Sequence, residues 1–200
     1  MAKSRRSERG RAAPGGPRAR LFLALEVPQP ARDALAAWRD ELVVGRADLR
    51  PVAPQALHLT LVFLGWQAES DVSRIAELAA GAAEGLAPTS LTPTEVKPIP
   101  PRRPRLFALD LVEEAGAATA VHEALSRALE DAGLYRPEKR PFWPHITLAR
   151  IKRGARADPL EPGSLPPPFE AAELTLYRST LRPQGAVYDA LWRERLRAAT

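Results

Sequence analysis

Apolar residues along this chain follow two spacings, and the alternation between them lays out the elements. RLFLALEVP, from Arg20 to Pro28, is a short apolar run stopped by proline, as suits a buried strand. PARDALAAWRDEL then places Leu35, Trp38 and Leu42 at steps of three and four with Pro30 near its start, which predicts an amphipathic helix. LHLTLVFLG, from Leu57 to Gly65, predicts a second strand. A second helix runs from Asp71 to Ala83, with Val72, Ile75 and Leu78 spaced along it and Asp71 near its N-terminus. The proline-rich stretch from Leu86 to Arg105 holds a short strand around Thr94 to Lys97, as a crossover or at a sheet edge, because proline donates no ladder hydrogen bond. RLFALDLV, from Arg105 to Val112, is a strand. Ala117 to Ala132 is a helix with Val121, Leu125, Ala128 and Leu129 on one side and Gly133 as a left-handed cap. HITLARI, from His145 to Ile151, is again a strand. After a polar, proline-rich loop from Lys152 to Pro168, ELTLYRSTL and AVYDALWRERL form a closing hairpin around Arg182, Pro183, Gln184 and Gly185.

The second half thus repeats the first: strand, helix, then a strand that opens on histidine. This predicts an α+β fold of two pseudo-twofold lobes, each a β-α-β unit, with antiparallel sheets forming a central cleft. Residues 20–200 make one such bilobal domain, and at 200 residues the chain is long enough to bury a sizeable core. Charge separates the rest. Seven of the 29 basic residues, Lys3, Arg5, Arg6, Arg9, Arg11, Arg18 and Arg20, fall before Leu21 against a single acid, Glu8, so the remainder is almost neutral. Residues 1–19, rich in Gly, Pro and Arg and without apolar periodicity, are expected to be a disordered basic arm, either a solvated tail or a weak electrostatic contact for RNA. Cysteine is absent, which removes disulfides, thiolate metal sites and thiol nucleophiles and fits a reducing cytoplasm. No apolar run reaches the roughly 20 residues of a membrane helix.

Two of the three histidines occupy the same local pattern, HLTL at His58 and HITL at His145. Side chains alternate along a strand, so His58 shares a face with Thr60, and His145 with Thr147. Leu57, Leu59, Leu61 and Phe63 fall on the opposite face of the first strand, and Ile146 and Leu148 on that of the second. Two imidazoles across one cleft form an acid and base couple near neutral pH, and two hydroxyls beside them can donate to phosphate oxygens. In-line displacement at phosphorus is the chemistry most helped, because the attacking oxygen sheds a proton as the leaving oxygen gains one. No metal is needed, and zinc would want a third ligand that neither motif supplies.

The other chemistry-bearing residues are weaker signals. His122, inside a helix and without a matching motif, is expected at the surface. An ideal strand turns Arg150 away from His145, so Arg150 serves an ion pair or, where the strand bends, a phosphate. Arg102, Arg103 and Arg105 are a solvated basic loop or a backbone contact. Phe142 and Trp143 pack in the core or stack on a base.

With these residues in view, HLTLVFLG and PHITLAR, supported by RLFLALEVP, RLFALDL and STLRPQGAVYDAL, resemble the two-histidine (2H) phosphoesterases, in the branch of RNA 2′,3′-cyclic phosphodiesterases once called 2′-5′ RNA ligases. The likeness spans about Arg20 to Leu196. It implies metal-independent, cofactor-free hydrolysis of RNA 2′,3′-cyclic phosphate ends, or of small cyclic nucleotides, to 2′-phosphomonoesters; composition separately suggests a cytoplasmic protein with no membrane partner, and a monomer is expected. It implies His58 as the general acid and His145 as the general base, with the roles exchanged if the substrate binds the other way round. Thr60, Thr147 and Arg150 match the positions that hold the phosphate. Joining RNA ends through a 2′-5′ linkage, and binding RNA ends without catalysis, are the competing functions.

Overall fold

The computed structural model describes residues 16–182 and 185–199. The arm therefore lies outside the described residues except at its end, where Arg18 and Ala19 already belong to the first strand. Pro183 and Gln184 of the closing turn also lie outside. Nine strands, β1 (Arg18–Glu26), β2 (Leu49–Pro51), β3 (His58–Ala68), β4 (Thr89–Ile99), β5 (Leu106–Glu113), β6 (His145–Ile151), β7 (Phe169–Ala171), β8 (Glu173–Arg182) and β9 (Gly185–Arg195), join three helices, α1 (Gln29–Leu42), α2 (Val72–Ala83) and α3 (Ala117–Asp131).

All strand pairings are antiparallel, and the strands run in the order β7-β4-β5-β6-β3-β1-β8-β9, with β2 on β6. The order is symmetric about the seam between β3 and β6. Each histidine strand is flanked by the strand that opens its own strand-helix-strand unit, β1 beside β3 and β5 beside β6. The expected two lobes are present, joined as one curved sheet. At the seam the two strands share a single register pair, Leu59 with Ile146, and then part.

Burial separates the two faces of the sheet. Leu21, Leu23 and Leu25 of β1, Leu109 and Leu111 of β5, and Ile146 and Leu148 of β6 pack with Leu35 of α1, Ile75 and Ala79 of α2, and Val121, Leu125 and Leu129 of α3 in one core. The helices thus cover one face of the sheet. The histidine face is left for a small cluster of Phe22, Ala24 and Tyr177. Gly133 ends α3 as expected: at φ +73° its N–H donates to Glu130, and that of Leu134 to Leu129, the paired bonds of a left-handed helix cap.

Two expectations change. β4 runs over eleven residues, more than the short strand foreseen, because it pairs with β5 from Leu91 to Ile99, while β7 covers only Thr89 to Leu91 on its other side. A strand with an open side tolerates Pro93 and Pro98, whose missing donors leave no ladder bond unmade there. The strict alternation assumed for β3 also fails. Against β1, Thr60 pairs with Ala24 and Val62 with Leu23, so Leu61 is an extra residue, and a second shift at Leu64 follows. Leu61 and Val62 are both buried, and Phe63 is turned onto the histidine face. No helix among the described residues is long and apolar enough to cross a membrane.

Candidate active site

His145 opens β6 directly across from Asp110 of β5. Its Nδ1 lies 2.8 Å from the Trp143 carbonyl. A carbonyl only accepts, so Nδ1 carries the hydrogen and the Nε2 lone pair of the neutral ring remains available. The Trp143 indole stacks on the imidazole, with centroids 4.2 Å apart and planes 12° from parallel, and its Nε1 donates to Asp110. Lys97 Nζ donates to the same carboxylate at 2.7 Å. Burial works against the Asp110 charge, but the bonds from Lys97 and Trp143 outweigh it and hold the carboxyl below its ordinary range. Burial also pushes His145 below its ordinary value, opposed by the Trp143 carbonyl and by Asp110.

His58 opens β3 across from Glu26 of β1, the same place in the other lobe. Its surroundings are different. The ring stacks on Phe22 at 5.0 Å and meets the edge of Tyr188 at 5.3 Å. Among the described residues its buried Nδ1 has no hydrogen-bond partner. Burial first, then the neighbouring His145, lower its pKa to about 4; the Ala56 carbonyl, near the ring but outside good hydrogen-bond geometry, opposes them. Glu26, which is buried, accepts from the Tyr177 hydroxyl and pairs with Arg32 at 3.4 Å.

The seam brings the two motifs together. With Leu59 opposite Ile146, antiparallel pairing sets His58 across from Thr147 and Thr60 across from His145 on the cleft face. The histidines are then diagonal neighbours, roughly 7–8 Å apart along the sheet by the usual spacing. Cavity linings agree. A space of about 170 Å³ is bordered by His58 and Thr147, together with Arg50, Arg150 and the Gly185, Ala186 and Tyr188 edge of β9. A groove of about 660 Å³ is bordered by Thr60 and His145, together with Phe63, His122, Phe142 and Trp143. Each cavity takes the histidine of one motif and the threonine of the other.

Arg150 reaches the site because β6 bends. Ala149 pairs with Phe107 but Thr147 pairs with Ala108, so Leu148 is extra and Arg150 returns to the face of Thr147. Arg150 therefore borders the cavity of His58 and Thr147. Arg50, its cross-strand partner on β2, borders the same cavity. Arg102, Arg103 and Arg105 are exposed at the β4–β5 turn and border neither cavity.

His122 requires a correction. It is half-buried, donates from Nδ1 to the Leu61 carbonyl at 2.9 Å and stacks on Phe142 at 4.4 Å, because the bulge in β3 turns that carbonyl toward α3. Phe142 and Trp143 are half-buried groove walls stacked on histidines, an arrangement between core packing and an open base platform. Glu26, Asp110, Arg50, Tyr177 and Tyr188 were not foreseen. For the two acids a signal existed: each is the one carboxylate inside an otherwise apolar strand run, LFLALEV and LFALDLV. Arg50 sits on a three-residue strand with no periodicity to reveal it. Among the described residues no group of three or more His, Cys, Asp or Glu could hold a metal ion.

A duplicated strand-helix-strand fold whose two H-x-T strands meet at one seam defines a paired-histidine acid and base centre. Comparison with known proteins places that centre in a family. Residues 27–182 match the model of the 2′-5′ RNA ligase superfamily, and the chain belongs to that family. It is 34% identical over 191 residues to an RNA 2′,3′-cyclic phosphodiesterase of Thermus thermophilus, covering 89% of this chain and 90% of the relative. The crystal structure of TT0787, also from Thermus thermophilus, superposes with a TM-score of 0.79 at 31% identity, over 90% of this chain and all of that one. Escherichia coli LigT complexed with 3′-AMP superposes with a TM-score of 0.74 at 27% identity, over 90% of this chain and 99% of that chain.

Proposed function

We propose that this chain hydrolyses RNA 2′,3′-cyclic phosphate ends to 2′-phosphomonoesters, with His58 and His145 as the acid and base couple. The observation that carries the reading is the crossed arrangement at the seam, in which each histidine faces the other motif's threonine. A phosphate between them meets two hydroxyl donors and two imidazoles. The names of the relatives support the same substrate.

His145 has Nδ1 committed to a carbonyl, so Nε2 takes the proton of the attacking water. The water oxygen bonds to phosphorus, the bond from phosphorus to the 3′ oxygen breaks, and His58 supplies the proton which that oxygen requires. Thr60 and Thr147 donate to the non-bridging oxygens, and Arg150 balances their charge. Like charges this close cannot both persist, so the couple carries at most one proton between them. Burial holds His58 neutral in the free protein, and the arriving phosphodiester anion reverses that preference by opposite-charge attraction. No step calls for a metal or cofactor. A cysteine-free monomer in the cytoplasm fits this reading.

Phosphorus NMR of a 2′,3′-cyclic mononucleotide incubated with the protein and a chelator tests it. The cyclic resonance should be replaced by that of a 2′-phosphomonoester alone. A 3′-phosphate product, or turnover abolished by the chelator, would overturn the assignment. A 5′-hydroxyl standing where the water stands would give a 2′-5′ linkage with the same bond broken, which the family's name invites. Adding an RNA with a 5′-hydroxyl end to the same assay separates joining from hydrolysis.

A further inference from the structure

The bulges of β3 leave two large aromatic side chains in solvent. Phe63 is 53% exposed and Trp66 60%, among the most exposed large apolar residues described. Both lie on the histidine face: Phe63 is paired with Phe22, and Trp66 with Arg20, and those β1 positions share the face of Ala24, which pairs with Thr60. Gly65, at φ +68°, provides the left-handed backbone that makes the second shift possible. Thr60, Phe63 and Trp66 are therefore successive positions leading away from the seam, roughly 6–7 Å apart at the usual strand rise. Phe63 also borders the groove that contains His145.

The geometry points to a stacking ledge for single-stranded RNA, in which Phe63 and Trp66 receive the bases on the 5′ side of the cyclic phosphate end. This rests on the reaction proposed above. A cyclic phosphate closes the 3′ end, so an RNA chain leaves the site only in the 5′ direction, and the exposed rings provide a continuous path from the seam. The ledge is basic at its edge: Arg20 lies beside Trp66, and Arg18 donates to the Trp66 carbonyl at 2.5 Å. Glu69 is paired with Arg178 at 3.6 Å, and the adjoining groove that Phe63 borders mixes Glu123, Glu130 and Glu138 with Arg127 and Arg140. Aromatic faces interleaved with arginine accept any base, because every base has a π face and every link a phosphate. The ledge makes oligonucleotide ends, rather than free cyclic nucleotides, the preferred substrate class.

The test is the ratio of kcat/KM for a hexaribonucleotide ending in a 2′,3′-cyclic phosphate to that for the matching cyclic mononucleotide. Trp66→Ala should lower the ratio about 5- to 10-fold, at the weak end of what one base stack contributes, mainly through KM. Trp66→Phe should restore most of it. An unchanged ratio, or equal losses on both substrates, overturns the ledge. So does an unchanged ratio accompanied by a shift in sedimentation, which would make Trp66 a contact between copies of the chain. If the unmodified protein hydrolyses neither substrate, the catalytic reading itself has failed, which is a different result from a failed ledge.

Discussion

The two lobes place their histidines by the same backbone device and then treat them differently. His58 and His145 both open a seam strand, both face a carboxylate on the flanking strand, and both precede a bulge that returns the residue five positions on to the cleft. In the first lobe that residue is Phe63, and the imidazole sits among Phe22, Tyr177 and Tyr188 with the Ala56 carbonyl nearby but no well-formed hydrogen bond at Nδ1. In the second it is Arg150, and the imidazole is fixed by a backbone carbonyl beside the Asp110, Lys97 and Trp143 group. Symmetry thus sets the distance between the two groups, while the unlike surroundings set their proton affinities. A couple that must give a proton at one end and take one at the other needs both properties.

The strongest way to break this comparison is to remove each half. His58→Ala and His145→Ala should each lower kcat for a cyclic mononucleotide by about 10²- to 10⁴-fold, the usual worth of one proton-transfer group, with the far-ultraviolet circular dichroism retained. The double variant should lose little more, since two groups sharing one proton act as a unit. Independent, multiplying losses would dissolve the couple. Arg150→Ala should follow, with kcat/KM down roughly 10- to 100-fold, as for a charge-assisted bond to an anion. A loss below twofold would return Arg150 to a structural role.

Those positions were readable because a short repeat carries them: HLTL and HITL fix two histidines and two threonines, and period two assigns their faces. Bulges were not readable. Leu61, Leu64 and Leu148 look like any other apolar residue, yet each adds one residue to its strand, so the faces of Phe63 and Arg150 come out reversed relative to an ideal strand. The place of His122 was hidden for the same reason, since the carbonyl that anchors it is the one displaced at Leu61. Arg50 and the short β2 were invisible because three residues contain no period. The overall lobes were legible since strand and helix patterns are repeated and long enough to average over such shifts.

The difference in surroundings can be sharpened through pH. Asp110 favours the cationic form of His145, so Asp110→Asn should lower the His145 pKa and move the corresponding limb of the kcat/KM profile toward acid. A limb that stays in place, with only the rate reduced, would make Asp110 a holder of Trp143 and nothing more.

The smallest effect concerns stability. His58 titrates near 4 in the fold against an ordinary value near 6.5, so between those values the unfolded chain binds more protons than the folded one. Stability from the neutral ring is complete above about pH 6.5 and falls as pH drops toward 4. His58→Phe, keeping a flat ring against Phe22 and Tyr188, removes that contribution to the slope. Urea unfolding at pH 7.5 and pH 5 should then show a smaller acid-induced loss in the variant than in the parent. Other titrating groups cancel in the comparison. His145→Phe should flatten the slope less than His58→Phe, because the Trp143 carbonyl and Asp110 oppose the effect of burial on that ring. Equal slopes for the two variants would mean that the lobes hold their histidines alike, and the electrostatic half of the comparison would fall while the geometric half stood.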